Sequence, residues 1–301
     1  MSDYIFYLVL VLSVVLQNML IHLFQRYQLF QPIYTLSPDS HQQKKWVPSF
    51  GGLGIITAIV IGVMAYGKPS PTIAWFMIST LVFALIGGAD DFKSLTKKVN
   101  KGLSVTEKLV LQGVVSAALV LTLHLFITPL HSIWQGVFYV IIFVGATNAT
   151  NLTDGLDGLL STLTIISLLG MAIFLEQAHV LPFYWPLIKV TIAALLGFLV
   201  VNWSPAKIFM GDTGSLALGA LMTSIAMTTN VMMVMWVGAI YIIEALSVII
   251  QVTWYKKTSK RVFLMSPLHH HFELLGLTEV QIVSLFAAIQ ALVIGVVLCL
   301  Q

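Results

Sequence analysis

Apolar residues fall in long runs along this chain, separated by short gaps. The first run is Tyr4 to Phe24, and others follow near 50–66, 72–88, 105–127, 134–150, 157–175, 184–203, 213–229, 233–255 and 280–299. A helix needs roughly 20 apolar residues to cross about 30 Å of hydrocarbon. The pattern therefore predicts an all-α integral membrane protein of about ten transmembrane helices, one polytopic domain over residues 1–301. Ten spans take about 200 residues and leave about 100 for loops, too few for a separate soluble domain. The first run has Asp3 in front and Arg26 behind, no basic residue before it and no small-residue cleavage site. It reads as a retained span rather than a signal peptide.

Composition agrees, with 58% hydrophobic and 9% charged residues and a mean hydropathy of +0.95, values that exclude a water-soluble enzyme. The single cysteine, Cys299, lies in the last run, so neither a disulfide framework nor a thiolate zinc site can form within the chain. The net charge of +3 is small, but its distribution is lopsided. The gaps 25–48, 89–104, 151–156, 204–212 and 256–279 are polar, while 67–71, 128–133, 176–183 and 230–232 are nearly uncharged. With the adjoining span ends, the polar set holds Arg26, Lys44, Lys45, Lys93, Lys97, Lys98, Lys101, Lys108, Lys207, Lys256, Lys257, Lys260 and Arg261; only Lys68 and Lys189 fall on the other side. Because cations accumulate on the inner face of polytopic proteins, the polar gaps are expected in the cytoplasm, and an even number of spans leaves both termini outside. Snorkelling at helix ends accounts for a few of these cations, not for their sidedness.

Twelve acidic residues remain, and near a bilayer each needs a reason. Asp90-Asp91 closes the third run after Gly87-Gly88; adjacent carboxylates repel unless Lys93, Lys97 or a hard metal ion neutralises them. From Asn148 to Gly158, polar groups recur every third residue, amides first and carboxylates after. On a continuous helix they would share a slowly drifting face suited to a sugar or a nucleotide base. Polar contact between helices would need fewer of them, and the glycosylation-type patterns at Asn148, Asn151 and Asn202 all fall on the expected cytoplasmic side. The stretch Asn202 to Ser215 breaks a helix at Pro205 and restarts one at Gly211-Asp-Thr-Gly214, where free amides would favour phosphate oxygens or a metal-bound diphosphate. After the basic stretch Lys256 to Arg261 comes Ser266-Pro-Leu-His-His-His-Phe-Glu273. Three consecutive imidazoles cannot all bind one ion, and the oxygen-rich acidic set suits magnesium better than zinc. Phosphate contact or helix-end hydrogen bonding is their first reading.

Taken in order, several of these elements resemble the motifs of the polyprenyl-phosphate N-acetylhexosamine-phosphate transferases. They are His41-x-x-Lys44 with Pro48 and Gly51-Gly52, Asp90-Asp91, Lys101-Gly-Leu103 with Lys108, Asn148 to Gly158, Asn202 to Ser215, and Pro267-Leu-His-His-His-Phe-Glu273. The resemblance covers nearly the whole chain, and the unbroken histidine triplet marks one branch of the family. Two positions depart from it: Trp46-Val-Pro-Ser-Phe-Gly-Gly52 replaces the usual Gly-Thr-Pro-Thr-Met-Gly-Gly, and Ser94 stands where many members have lysine, a role left to Lys93 or Lys97. The resemblance implies ten transmembrane helices in a bacterial inner membrane, a homodimer, an active site on the cytoplasmic face and no nucleic-acid partner. Its implied reaction moves phospho-N-acetylmuramoyl-pentapeptide from UDP-N-acetylmuramoyl-pentapeptide to undecaprenyl phosphate with Mg2+, giving lipid I and UMP. Direct attack and an aspartyl-phosphate route both fit. It implies Asp212 as the magnesium ligand, Asp90 and Asp91 as an acid/base or phosphate-activating pair, and Lys108, His269, His270 and His271 within the catalytic set. Lys44, Asn148, Asn151, Asp154, Asp157, Asn202 and Phe209 are implied on the substrate side.

Two rival readings are a sister transferase handling N-acetylglucosamine phosphate and a transporter. The transporter needs polar groups near the membrane midplane, where only Glu244 and Lys189 fall. The charge bias yields a direct expectation for topology. A cysteine placed in the 95–100 loop reacts with a membrane-impermeant label only from the cytoplasmic side, and one near Thr128 only from outside; the opposite pattern would reverse the orientation.

Overall fold

The computed structural model describes residues 2–30, 44, 46–67, 70–97 and 102–300. His41, Lys45, Lys68, Lys98 and Lys101 lie outside the described residues, as does the side chain of Lys97. The described residues form twelve helices and no strand: α1 (Ser2–Arg26), α2 (Gly51–Ala65), α3 (Pro71–Lys97), α4 (Val105–Phe126), α5 (Ile133–Thr153), α6 (Leu159–Gln177), α7 (Leu181–Asn202), α8 (Gly211–Thr228), α9 (Met233–Val237), α10 (Ala239–Thr258), α11 (Leu268–Leu274) and α12 (Glu279–Leu300). Local chemistry sets several starts. Ser104 and Glu107 close a capping box on α4, Ser132 accepts from the Gln135 amide at the head of α5, and a proline sits in the first turn of α7.

Eight helices (α1, α3, α4, α5, α6, α7, α10 and α12) are long and apolar enough to cross a membrane, and the protein is an all-α integral membrane protein. The other two expected spans differ. The run near 50–66 forms α2, whose 15 residues reach only about 22 Å. The run near 213–229 forms α8, which opens on the polar Gly-Asp-Thr-Gly turn. The expected span 233–255 is interrupted at Gly238, between α9 and α10. There buried Gln290 of α12 accepts from the Ile240 amide at 3.1 Å and donates to the Trp236 and Val237 carbonyls at 3.0 and 2.7 Å, so the broken backbone is satisfied inside the bundle.

α8 is the axis of the molecule. Every residue from Thr213 to Met227 is buried, with α3, α5 and α2 packed around it. A helix with no lipid-facing side can carry small and hydroxyl residues instead of a continuous apolar surface, which is why it falls short of a membrane-span composition. The peripheral helices do the reverse: only 22% of the apolar stretch of α1 and 28% of that of α4 is buried, against 67% for α7.

Close approach to α8 depends on glycine. A Cβ on Gly52 would lie 2.5 Å from the Gly214 Cα, and one on Gly87 would run into the Asp212 carbonyl, the small-residue contact by which membrane helices pack. Gly113 of α4 and Gly145 of α5 have nothing within 4 Å of that position. Gly52→Ala and Gly87→Ala should each destabilise the protein by about 1–3 kcal/mol, the usual cost of overpacking. Gly113→Ala and Gly145→Ala should leave the detergent unfolding temperature unchanged or raised. Equal effects from the two pairs would remove close helix approach as the organising contact.

Candidate active site

Helix ends collect at one end of the bundle: the C-terminal turns of α3 and α5 and the N-terminal turns of α4 and α8. Gly211 opens α8 with φ +76°, a left-handed conformation natural to glycine. It also leaves no room for a side chain, since a Cβ would lie 2.7 Å from an Asp91 carboxylate oxygen and 2.8 Å from Ser49 Oγ. Asp91 is 1% exposed. Its carboxylate accepts from the Asp212 amide at 3.1 Å, the Thr213 amide at 2.9 Å and the Thr213 hydroxyl at 2.7 Å. The Gly211 amide donates to Asp154. The first amides of α8 are thus occupied by carboxylates, and the expectation that this turn offers free amides to phosphate is corrected: Asp91 and Asp154 cap it, as the positive end of a helix dipole favours.

Capping turns Asp212 outward. Its carboxylate accepts from Lys108 Nζ and, at 2.7 Å, from Asn151 Nδ2. Asn151 also donates to Ser215 Oγ at 3.0 Å, while Lys108 lies 3.4 Å from Asn151 Oδ1. Asp90 is half-buried, accepts from the Leu103 amide at 2.7 Å and lies beside Asp212 and Lys108. Asp90, Lys108, Asn151 and Asp212 therefore form one cluster, with Asp154 behind it. Burial first, then the charges of Asp212, Asp91 and Asp157, hold the Asp154 carboxyl well above the usual carboxylate range. Lys93 does not serve Asp90; it pairs with Glu107 at 3.4 Å. Among the described residues Lys108 is the cation at the cluster, and Ser94, where the family often has lysine, is buried.

The polar ladder from Asn148 to Gly158 does not keep one face, because α5 ends at Thr153 and α6 begins at Leu159. Asn148 sits a turn below Asn151 and donates to Gln112 Oε1 at 2.6 Å. Asp157, past the break, turns away from Asp154. It pairs with Lys44 at 2.7 Å and accepts from the Ala206 amide at 2.8 Å. Glu279, at the start of α12, completes this second cluster through Lys44 at 2.5 Å and the Asp157 amide at 3.1 Å. Asn202 braces the same wall, accepting from the Gly158 amide at 3.1 Å and donating to the Ile208 carbonyl at 2.9 Å. The half-buried Phe209 follows, its amide donating to the Pro48 carbonyl at 2.8 Å.

The histidine triplet divides three ways along α11. His269 is fully buried; its amide donates to Glu244 Oε1 at 3.1 Å, its Nδ1 faces Glu244 Oε2 at 3.2 Å, and its ring packs on Gly155. Glu244, a midplane candidate, is therefore a buried partner for α11. Lys189, the other, pairs with Asp3 at 2.5 Å. His270 stays partly exposed with Nδ1 2.6 Å from Glu273. His271 Nδ1 accepts from the Leu264 amide at 3.2 Å, and its ring contacts Phe263.

Gln112 and Glu279 were not anticipated from the sequence. A lone amide in an apolar run and an acid at the head of an apolar span are the local signals for Gln112 and Glu279.

Residues 73–230 match the family model for glycosyl transferase family 4. The phospho-N-acetylmuramoyl-pentapeptide-transferase of Clostridium beijerinckii is 40% identical over 298 residues, which cover 93% of this chain and 90% of the relative. Proteins of the same name from Staphylococcus aureus (strain MSSA476) and Bacillus subtilis (strain 168) are 39% and 36% identical. They cover 94% and 92% of this chain, and 94% and 90% of their own lengths. The match spans the α8 turn, Asp90-Asp91, Lys108 and the Asn148–Gly158 segment, and by it this chain belongs to glycosyl transferase family 4.

Proposed function

We propose that the protein transfers phospho-N-acetylmuramoyl-pentapeptide from its UDP carrier to undecaprenyl phosphate, forming lipid I and releasing UMP, at the cytoplasmic face of a bacterial cell membrane. The observation that carries this reading is the convergence of Lys108 and Asn151 on Asp212, beside Asp90, at one end of a bundle of apolar helices. A water-soluble nucleotide and a lipid phosphate can meet only at such an end. The names of the similar proteins supply the transferred group, phospho-N-acetylmuramoyl-pentapeptide.

In the transfer, an acceptor phosphate oxygen bonds to the sugar-bearing phosphorus of the donor, and the bridge from that phosphorus to UMP breaks. Such chemistry asks the protein mainly for positioning and charge neutralisation. Lys108 brings the cation, held at the site by Asp212 and within reach of the charge that passes to the leaving phosphate. Asn151 fixes the Asp212 carboxylate, and Asp91 fixes the backbone that carries it. Asp90, beside Asp212 and Lys108, would take the acceptor's proton or help to activate its phosphate. The wall of Asp157, Asn202 and Phe209, tied by Lys44, suits the nucleotide.

Magnesium fits the donor set. Asp90 and Asp212 set carboxylate oxygens beside Lys108, and among the described residues no three acidic, histidine or cysteine side chains form a ready-made cage. Magnesium is commonly held by one or two carboxylates with substrate phosphates completing its shell. Asp212 would be its ligand, with Asp90 adjacent, and the ion would supply further neutralisation of the diphosphate.

Purified protein with magnesium and undecaprenyl phosphate should release UMP from UDP-N-acetylmuramoyl-pentapeptide and not from UDP-N-acetylglucosamine; the reverse preference would favour the sister transferase. Asp212→Asn should lower turnover about a hundredfold or more, the scale of losing one preorganised charge interaction, in a protein that still elutes as a single species. EDTA should do the same to the wild type, and full turnover by the variant would remove Asp212 from the site. The histidines should separate. His269→Ala leaves Glu244 buried without its partner, so its main effect is a lower unfolding temperature. His270→Ala should lower turnover by about 1–3 kcal/mol equivalent with little change in unfolding. Identical profiles for the two would mean that the triplet acts as a unit.

A further inference from the structure

The segment joining α10 to α11 is basic and folds back on the helix it leaves. α10 ends in exposed Trp254, Tyr255, Lys256 and Lys257, and Ser259 turns the chain with φ +56°. Lys260 and Arg261 follow, and the chain then folds back along the helix. Gln251 holds the return, accepting from the Val262 and Phe263 amides at 2.9 and 3.0 Å and donating to the Phe263 carbonyl at 2.9 Å. The result is a hairpin with a basic tip and apolar arms, for Val262 and Leu264 are 47% and 46% exposed, opposite Trp254 at 49% and Tyr255 at 52%. Among the described residues none of the four cations pairs with a carboxylate; Arg261 donates only to the Leu264 carbonyl at 3.1 Å.

Exposed apolar side chains on a membrane-spanning helix face lipid, and Trp and Tyr mark the headgroup level. Four cations with no carboxylate partner among the described residues follow immediately and carry a charge complementary to phosphodiester headgroups. We propose that this hairpin, Trp254 to Leu264, is a binding surface for anionic phospholipid headgroups of the surrounding bilayer. Its return arm runs straight into α11, since the Leu264 amide donates to His271. Lipid held at the tip therefore also anchors the segment that carries the histidines. The shared chemistry with the acceptor is a lipid-borne phosphate; the occupant assigned here is bulk anionic phospholipid, because the cations are exposed next to the exposed apolar arms of the hairpin rather than gathered in the Asp212 cluster.

The test compares wild type with the fourfold variant K256Q/K257Q/K260Q/R261Q, both in detergent. Native mass spectrometry in an equimolar mixture of phosphatidylglycerol and phosphatidylcholine reads lipid preference, and a separate titration reads KM for undecaprenyl phosphate. The wild type should retain phosphatidylglycerol preferentially, less so in high salt. The variant should lose about fivefold of that preference per charge removed with an unchanged KM. An unchanged lipid preference overturns the proposal. A raised KM with intact phosphatidylglycerol preference also overturns it, assigning the tip to the acceptor. Because lipid retention is read without turnover, failure of the proposed reaction and failure of this surface are separate results.

Discussion

One buried carboxylate sets the geometry of the site. Asp91 reaches from the end of α3 to the start of α8 and receives two backbone amides and a hydroxyl there. A carboxylate with 1% exposure is costly unless such donors replace water, and the helix start supplies them together with the positive end of its dipole. The two helices are brought within backbone contact by Gly87. That contact leaves the Asp212 side chain outside the capped turn, free to meet Lys108 and Asn151 from two other helices. If the capping were released, the partners of Asp212 would have nothing fixed to converge on.

The arrangement also explains why adjacent, chemically identical aspartates differ in use. Asp90 and Asp91 are neighbours on a helix, so they point about 100° apart. One faces α8 and is consumed by its backbone; the other faces the half-open cluster. Asp154 and Asp157 diverge for another reason, the end of α5 between them. Asp154 remains with the Asp212 cluster, and Asp157 joins Lys44 and Glu279, where the ion pairs tie the segment before α2 and the start of α12 to the α5–α6 turn. One cluster gathers Asp90, Lys108 and Asn151 around Asp212, and the other ties three chain segments together through Lys44. His269 wedges between that turn and Glu244, which places an ionisable group within the bundle without exposing it to lipid.

Membrane class, the approximate places of most helices, the lopsided charge and the polar segments were legible in the sequence, because each depends on local composition. Apolar runs must become helices in hydrocarbon, where no water is present to satisfy the backbone. Lys108, Asp212, Asn151 and Asp90 were legible as candidates through motif order, and they do come together. The length of α2, the central burial of α8 and the break at Gly238 were not legible. They depend on what surrounds each helix: α8 tolerates a polar start because no part of Thr213–Met227 faces lipid, and the break is tolerated because Gln290 arrives from α12.

Role assignment was decided by tertiary structure alone. Asp91 meets Thr213 across 122 positions, Lys108 meets Asp212 across 104, and Lys44 meets Glu279 across 235. No local pattern specifies which carboxylate caps a helix, which pairs with a lysine and which remains beside the cluster, since all are acidic residues at the ends of apolar runs. The sequence by itself determined that these groups would be gathered at one end of a membrane bundle, because charges cannot stay in hydrocarbon. Only the packing of α3, α4, α5 and α8 decided their division of labour, because hydrogen bonds form over about 3 Å and only the folded bundle brings such distant positions that close.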